Sequence, residues 1–207
     1  YDHGKQAGIL HVADHQISPG KKQWTWGCDE FGKAWDRQLT DEDGPYCEIM
    51  TGMFTDNQPD FGWIMPGEER NFLQYFLPYK NIGYVKNATI DACINLNTDE
   101  TSATVEVYVT AERENAVIQL FYNDEMILNE AADLSPEKTY KKNVLLTAGY
   151  NMTKLKAVVT DSSENILVSY APSQKKEQAI PEAAKSIDEP TQIPTNEGLY
   201  FAGLHLE

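Results

Sequence analysis

Short runs in which apolar and polar side chains alternate dominate this chain. Residues 7–17 (AGILHVADHQI) form one such run, closed by the turn Ser18-Pro19-Gly20. Lys21 to Trp26 alternates polar and aromatic residues, which places Trp24 and Trp26 on one face of a strand. On a half-buried strand such a face is more often core than ligand platform. From Gly27 to Pro45 the pattern lapses into a stretch rich in Gly, Asp and Glu that contains Trp35, Asp36 and Arg37, and it reads as a long loop. A strand-like run returns around Glu48. A further strand, Phe72 to Phe76, is entered through Pro66-Gly67-Glu68 and bounded by Pro78.

Near Tyr84 the rhythm changes. Residues 88–97, 102–110, 116–122, 140–147, 153–160 and 165–170 are short alternating runs separated by Asn, Asp, Glu, Ser and Gly clusters. That spacing is expected of an antiparallel sandwich of immunoglobulin-like or fibronectin-like topology. Val105, Val107 and Val109 face one way, and Thr104, Glu106, Tyr108 and Thr110 the other. From Pro172 to Pro194 prolines and scattered charge replace the alternation, which reads as a linker or extended arm. Thr195-Asn196-Glu197 then looks like a helix start, with Thr195 or Asn196 as N-cap. The expected fold class is all-β, with modules at 1–85 and 86–171, an arm at 172–194 and the start of a helical region at 195–207.

Composition narrows the functional classes. The chain has 207 residues and a net charge of −15, with the excess of carboxylates present in every segment. No segment is basic, so the charge pattern argues against a grip on nucleic-acid phosphates or anionic lipid. No run of 18 apolar residues reads as a membrane span. Three cysteines, Cys28, Cys47 and Cys93, show no metal-type spacing and read as reduced thiols. No cofactor is expected.

Candidate chemistry centres on Gly44 to Pro78. Glu48 lies in a strand-like run, and the following loop holds Asp56, Asn57, Gln58, Asp60, Phe61 and Trp63. Apolar planes beside amide and carboxylate groups suit a sugar, whose ring stacks while its hydroxyls take directional hydrogen bonds. Trp35 and Asp36 are further candidates for carbohydrate contact, with Trp35 or Trp63 as the stacking surface. The alternative reading of Asp56 to Trp63 is a structural loop whose side chains satisfy its own backbone. His11 and His15 are four apart; along a strand that places them on one face but about 13 Å apart at about 3.3 Å per residue. They share no metal unless the strand ends between them, so no metal site is assigned, and the plain reading is a packed or surface histidine.

The Glu48 strand, the Pro66-Gly67-Glu68 turn and the aromatic-rich exit strand resemble the C-terminal part of galactose mutarotase-like supersandwich domains. GILHVADHQISPGKKQWTWG, DRQLTDEDGPYCEIMTG, FTDNQPDF and TNEGLYFAGLHLE, in that order, resemble a family of large, mostly uncharacterised bacterial proteins. These join a mutarotase-like domain to a β-sandwich module and tetratricopeptide repeats. The resemblance implies that Glu48 acts as a general base toward an anomeric hydroxyl, with a histidine, for which His11 is a candidate, as acid. It also implies that this chain is an internal fragment whose acid histidines and substrate-gripping arginine lie upstream of Tyr1. An open strand edge would then invite pairing with a second chain. The compartment implied is bacterial cytoplasm or periplasm.

Two functions follow as expectations. In the first, the chain is a carbohydrate-recognising module, and whether the parent also acts as an epimerase or a glycan-cleaving enzyme stays open. In the second, it is a non-catalytic scaffold that positions downstream repeats for protein partners.

Overall fold

A computed structural model describes residues 1–50, 52–53, 64–174 and 186–206. Among them the chain runs β1 (Ala7–Ala13), β2 (Lys22–Thr25), α1 (Glu30–Leu39), β3 (Cys47–Met50), β4 (Gln74–Lys80), β5 (Asn87–Ala88) and β6 (Ala92–Thr98). It continues with β7 (Ser102–Val109), β8 (Arg113–Tyr122), β9 (Glu125–Leu134), β10 (Tyr140–Leu145), β11 (Leu155–Thr160), β12 (Ile166–Tyr170) and α2 (Asn196–Leu206). The class is all-β: the resolved strand pairings are antiparallel, accompanied by short helices. The chain groups into two compact units that are not contiguous in sequence. One is Tyr1–Val12 with Gln74–Glu177, the other Ala13–Leu73 with Gln178–Glu207.

In the first unit two four-stranded sheets, ordered β10-β7-β6-β5 and β12-β11-β8-β9, form a sandwich. Alternation explains its core. Ile94 and Leu96 of β6 and Val105, Val107 and Val109 of β7 meet Ile118 and Leu120 of β8, Leu155 and Val159 of β11 and Val168 of β12 in one buried cluster. β9 was not foreseen, because Asn129, Glu130, Ala131 and Ala132 blur its alternation. Its hairpin with β8 is nonetheless written in the sequence: Asn123 and Asp124 have φ of 50° and 65° between the paired residues Tyr122 and Glu125. That is the two-residue turn whose twist suits a hairpin.

β7 is buried on both faces. The side away from the sandwich core carries Tyr108, which packs with Cys93, Tyr79 and Ile82, joined by Tyr1 and Leu10. The connection after β4 is bent over this face by Asn81 and Gly83, both in left-handed backbone. Beside it Asn95 and Glu106 are buried as a pair. Asn95 Nδ2 donates to Ile82 O at 2.6 Å and to Glu106 Oε2 at 2.9 Å, and Lys141 Nζ reaches Glu106 Oε1 at 2.7 Å.

Burial also sets the chemistry of Cys93, whose thiol is pushed up to about 11 from an ordinary 9.0. Cys28 and Cys47 are exposed free thiols. An aromatic disulfide reagent near pH 8 is expected to titrate two thiols rapidly and the third only on unfolding. Because the folded-state value of Cys93 is raised, its contribution to stability is full below about pH 9 and is lost as pH rises toward 11. Cys93→Ala should therefore flatten the alkaline fall in unfolding free energy.

Two local expectations are corrected. The strand expected from Phe72 to Phe76 starts at Gln74 and runs through Pro78 to Lys80. Among the described residues β4 pairs only with β1, so a residue without an N–H is tolerated there. The loop expected from Gly27 to Pro45 contains α1. Phe31, Trp35 and Leu39 recur at a spacing of four, and Glu30 and Lys33 form an i,i+3 ion pair at 3.0 Å. At the C-terminal end, α2 starts as expected: Thr195 Oγ1 accepts the Gly198 N–H at 3.0 Å.

Candidate functional site

The second unit builds its site from a two-stranded ladder and one helix. β2 and β3 pair antiparallel with Lys22 opposite Met50 and Trp24 opposite Glu48. The period of two puts Trp24 and Trp26 on one face, and their rings meet edge-on at 4.6 Å. α1 lies against the Trp26 end of this face. Trp35 stacks on Trp26 at 4.7 Å with 12° between the planes, and Phe31 closes the group edge-on at 6.2 Å from Trp26 and 6.4 Å from Trp35. Trp24 keeps 37% of its surface exposed beside Glu48. The Trp26 indole Nε1–H is enclosed with no acceptor among the described residues.

Polar contacts fasten helix to strand. Asp36 Oδ1 accepts the Tyr46 backbone N–H at 3.0 Å, fixing α1 to the entry of β3. Tyr46 Oη donates to Glu48 Oε1 at 3.0 Å, and that bond to a carboxylate raises the Tyr46 hydroxyl above its usual range. Thr40 Oγ1 lies 3.0 Å from Asp36 O and 2.6 Å from Gly44 O, so it ties the end of α1 to the following turn.

Close approach of α1 depends on Gly32. A Cβ there would lie 2.5 Å from Gly27 O and 2.6 Å from Trp26 O, both backbone atoms. Helix propensity favours Gly32→Ala by about 1 kcal/mol, whereas overpacking against backbone costs typically about 1–3 kcal/mol. Because the neighbouring backbone cannot rotate away, a net loss of stability is expected. Tryptophan fluorescence should report it as a lowered melting transition, since Trp24, Trp26 and Trp35 all lie at this contact.

The structure thus brings three expected site residues, Glu48, Trp35 and Asp36, into one cluster. Their roles differ: Glu48 stands opposite Trp24 in the ladder and accepts the Tyr46 hydroxyl, while Trp35 and Asp36 are engaged with Trp26 and Tyr46. Asp56, Asn57, Gln58 and Trp63 lie outside the described residues. Tyr46 was missed; its signal was an aromatic residue two before Glu48 on the same strand face. Trp24 of β2 and Trp26 just after it, a face expected to be core, form the centre of the aromatic group.

His11 sits in the first unit, on β1. Its Nε2 lies 3.1 Å from Gln74 Oε1 and its ring stacks on Phe76 at 4.6 Å. His15 falls in the turn after Ala13, so the two histidines do not continue along one strand as the spacing suggested. Asp14 between them holds that turn, its carboxylate accepting the Gln16 N–H at 2.8 Å. Among the described residues no three His, Cys, Asp or Glu side chains gather as a metal site. Nor is any described helix long and apolar enough to cross a membrane.

Comparison with known proteins divides the chain in two. Residues 1–79 match the model of a domain of unknown function (DUF5107), and residues 87–170 match that of the YphG-like protein, second domain. No solved structure matches the chain. The site described above therefore falls in the part similar to DUF5107, and most of the sandwich in the part similar to the YphG-like second domain.

Proposed function

We propose that this chain is a carbohydrate-recognising module of a larger bacterial protein. The observation that carries the reading is the pairing of Trp24 with Glu48 across β2 and β3, an exposed tryptophan opposite a half-buried glutamate. The indole offers a stacking plane, and the carboxylate with Tyr46 offers directional acceptors and a donor for ring hydroxyls. In a mutarotase-like parent, Glu48 is also the group placed to take a hydroxyl proton. The β5–β12 sandwich is read as immunoglobulin-like, a reading supported by the β12-β11-β8-β9 sheet facing β10-β7-β6-β5.

Titration calorimetry against a panel of neutral and charged oligosaccharides tests this. Binding that is weakened at least about tenfold by Trp24→Ala and by Glu48→Gln, with unchanged melting, supports the site. Absence of binding to every glycan, or binding indifferent to both changes, removes it.

A second reading makes the chain a scaffold that positions tetratricopeptide repeats for protein partners. One observation favours it: between Gly198 and Leu204 α2 carries no polar side chain, and Tyr200, Phe201 and Leu204 are exposed along it. A helix of that composition is normally covered by neighbours.

A further inference from the structure

The edges of the sheets in the first unit are defended unequally, and the exception points to an interface. β4 carries Pro78, which has no N–H to offer. β10 carries Lys141 and Lys142, and β9 carries Glu125, Glu130 and Asp133. At β12, Asn87 Nδ2 and Thr89 Oγ1 already donate to the carbonyls of Ser169 and Leu167. β5 is two residues long. β1, in contrast, is seven residues, AGILHVA, without a charge, a proline or a left-handed residue.

Among the described residues β1 has one strand neighbour, β4. The N–H and C=O of Ala7 point away from β4, because Asp2 exchanges both bonds with them at 2.7 and 3.3 Å, while Gln6 O accepts the Asn81 N–H on the β4 side. By the period of two, Ile9, His11 and Ala13 turn their backbone groups outward as well. Among the described residues no backbone partner meets Ile9 or His11 there. Apolar surface lies along that row: Ile9 is 59% exposed, and Phe76 of β4, stacked on His11, is 53% exposed.

We propose that this edge is an interaction surface whose occupant is β1 of a second copy of the chain. Charge and register both favour a copy of itself. A chain of net charge −15 repels its own kind wherever carboxylates line the contact, and β1, with neither Asp nor Glu, sets none against its counterpart. Antiparallel pairing about a two-fold axis through His11 sets His11 against the partner's His11, Ile9 against the partner's Ala13 and Ala13 against the partner's Ile9. All three are outward-facing residues and so form hydrogen-bonded pairs. A register centred on Leu10 would set Ala13 against the partner's Ala7, whose outer groups Asp2 already occupies. The result is a four-stranded sheet with a continuous aromatic row of Phe76 and His11 from both copies, in place of two marginal two-stranded ribbons.

Sedimentation velocity on the 207-residue chain from about 1 to 100 µM tests the proposal, together with amide exchange by NMR. A monomer–dimer equilibrium is expected, with exchange of the Ile9 and His11 amides slowing as concentration rises while Leu10 and Val12 stay unchanged. Ile9→Lys, at an exposed position, should weaken the dimer at least about tenfold. His11→Glu should do the same by setting carboxylates opposite one another. A chain that stays monomeric throughout, or a dimer that survives both substitutions, overturns the proposal. If neither variant folds, the exchange pattern of the unaltered chain decides: no concentration-dependent protection at Ile9 and His11 also overturns it.

Discussion

Truncating Ile118 to alanine is expected to lower the unfolding free energy of the sandwich by about 2–5 kcal/mol. Ile118 is fully buried on β8, paired with Val159 of β11 and Glu130 of β9, so both neighbouring strands hold the backbone around the vacated volume. A site braced on two sides collapses little, and the cost then includes the cavity as well as the lost transfer energy. Against a typical total of about 5–15 kcal/mol, a loss of this size moves the midpoint of a urea transition by a large fraction. Leu145→Ala is the control. Leu145 is 83% exposed at the end of β10, and its removal should stay within about 0.5 kcal/mol. Equal effects from the two substitutions would mean that the cluster described here is not the core that holds the unit.

Glu106→Ala is expected to cost roughly 2–3 kcal/mol, from lost hydrogen bonds rather than a lost ion pair. Its carboxylate accepts from Asn95 Nδ2 at 2.9 Å, Asn97 Nδ2 at 3.3 Å and Lys141 Nζ at 2.7 Å. Asn95 is completely buried, so removing Glu106 strands a donor that water cannot reach. The Lys141 side chain is 68% exposed, and its charge is solvated once the partner is gone. Lys141→Ala should therefore cost under about 1 kcal/mol. A double-mutant cycle between Asn95 and Glu106, read by urea unfolding, should return a coupling energy well above that between Lys141 and Glu106. The reverse ranking would show that the ion pair carries the stability.

The legible parts of the fold are those where one face of an element meets water and the other meets apolar neighbours. Val105, Val107 and Val109 could be assigned to a core from alternation alone, and they are buried. The same logic placed Trp24 and Trp26 on one face, and cap chemistry placed the start of α2 at Thr195. α1 was illegible because Gly32 and a dense set of carboxylates mask the spacing of Phe31, Trp35 and Leu39, and that glycine makes sense only beside the backbone of Trp26 and Gly27. The candidate site was legible as a set of residue types, but the sequence did not show which of them meet.

By itself the amino-acid sequence determined the all-β class, the strand rhythm after Tyr84 and the faces that strands present, because these depend on contacts between residues two to four apart. Tertiary structure decided that Glu106 and Tyr108, on the polar-reading side of β7, are buried beneath residues such as Tyr79 and Ile82. It also decided that Trp35 lies on Trp26 and that Asp36 holds Tyr46 beside Glu48. The physical reason is common to all of these. Periodicity records how an element meets its immediate surroundings, whereas a second layer of cover comes from segments distant in the chain, whose arrival no local pattern announces.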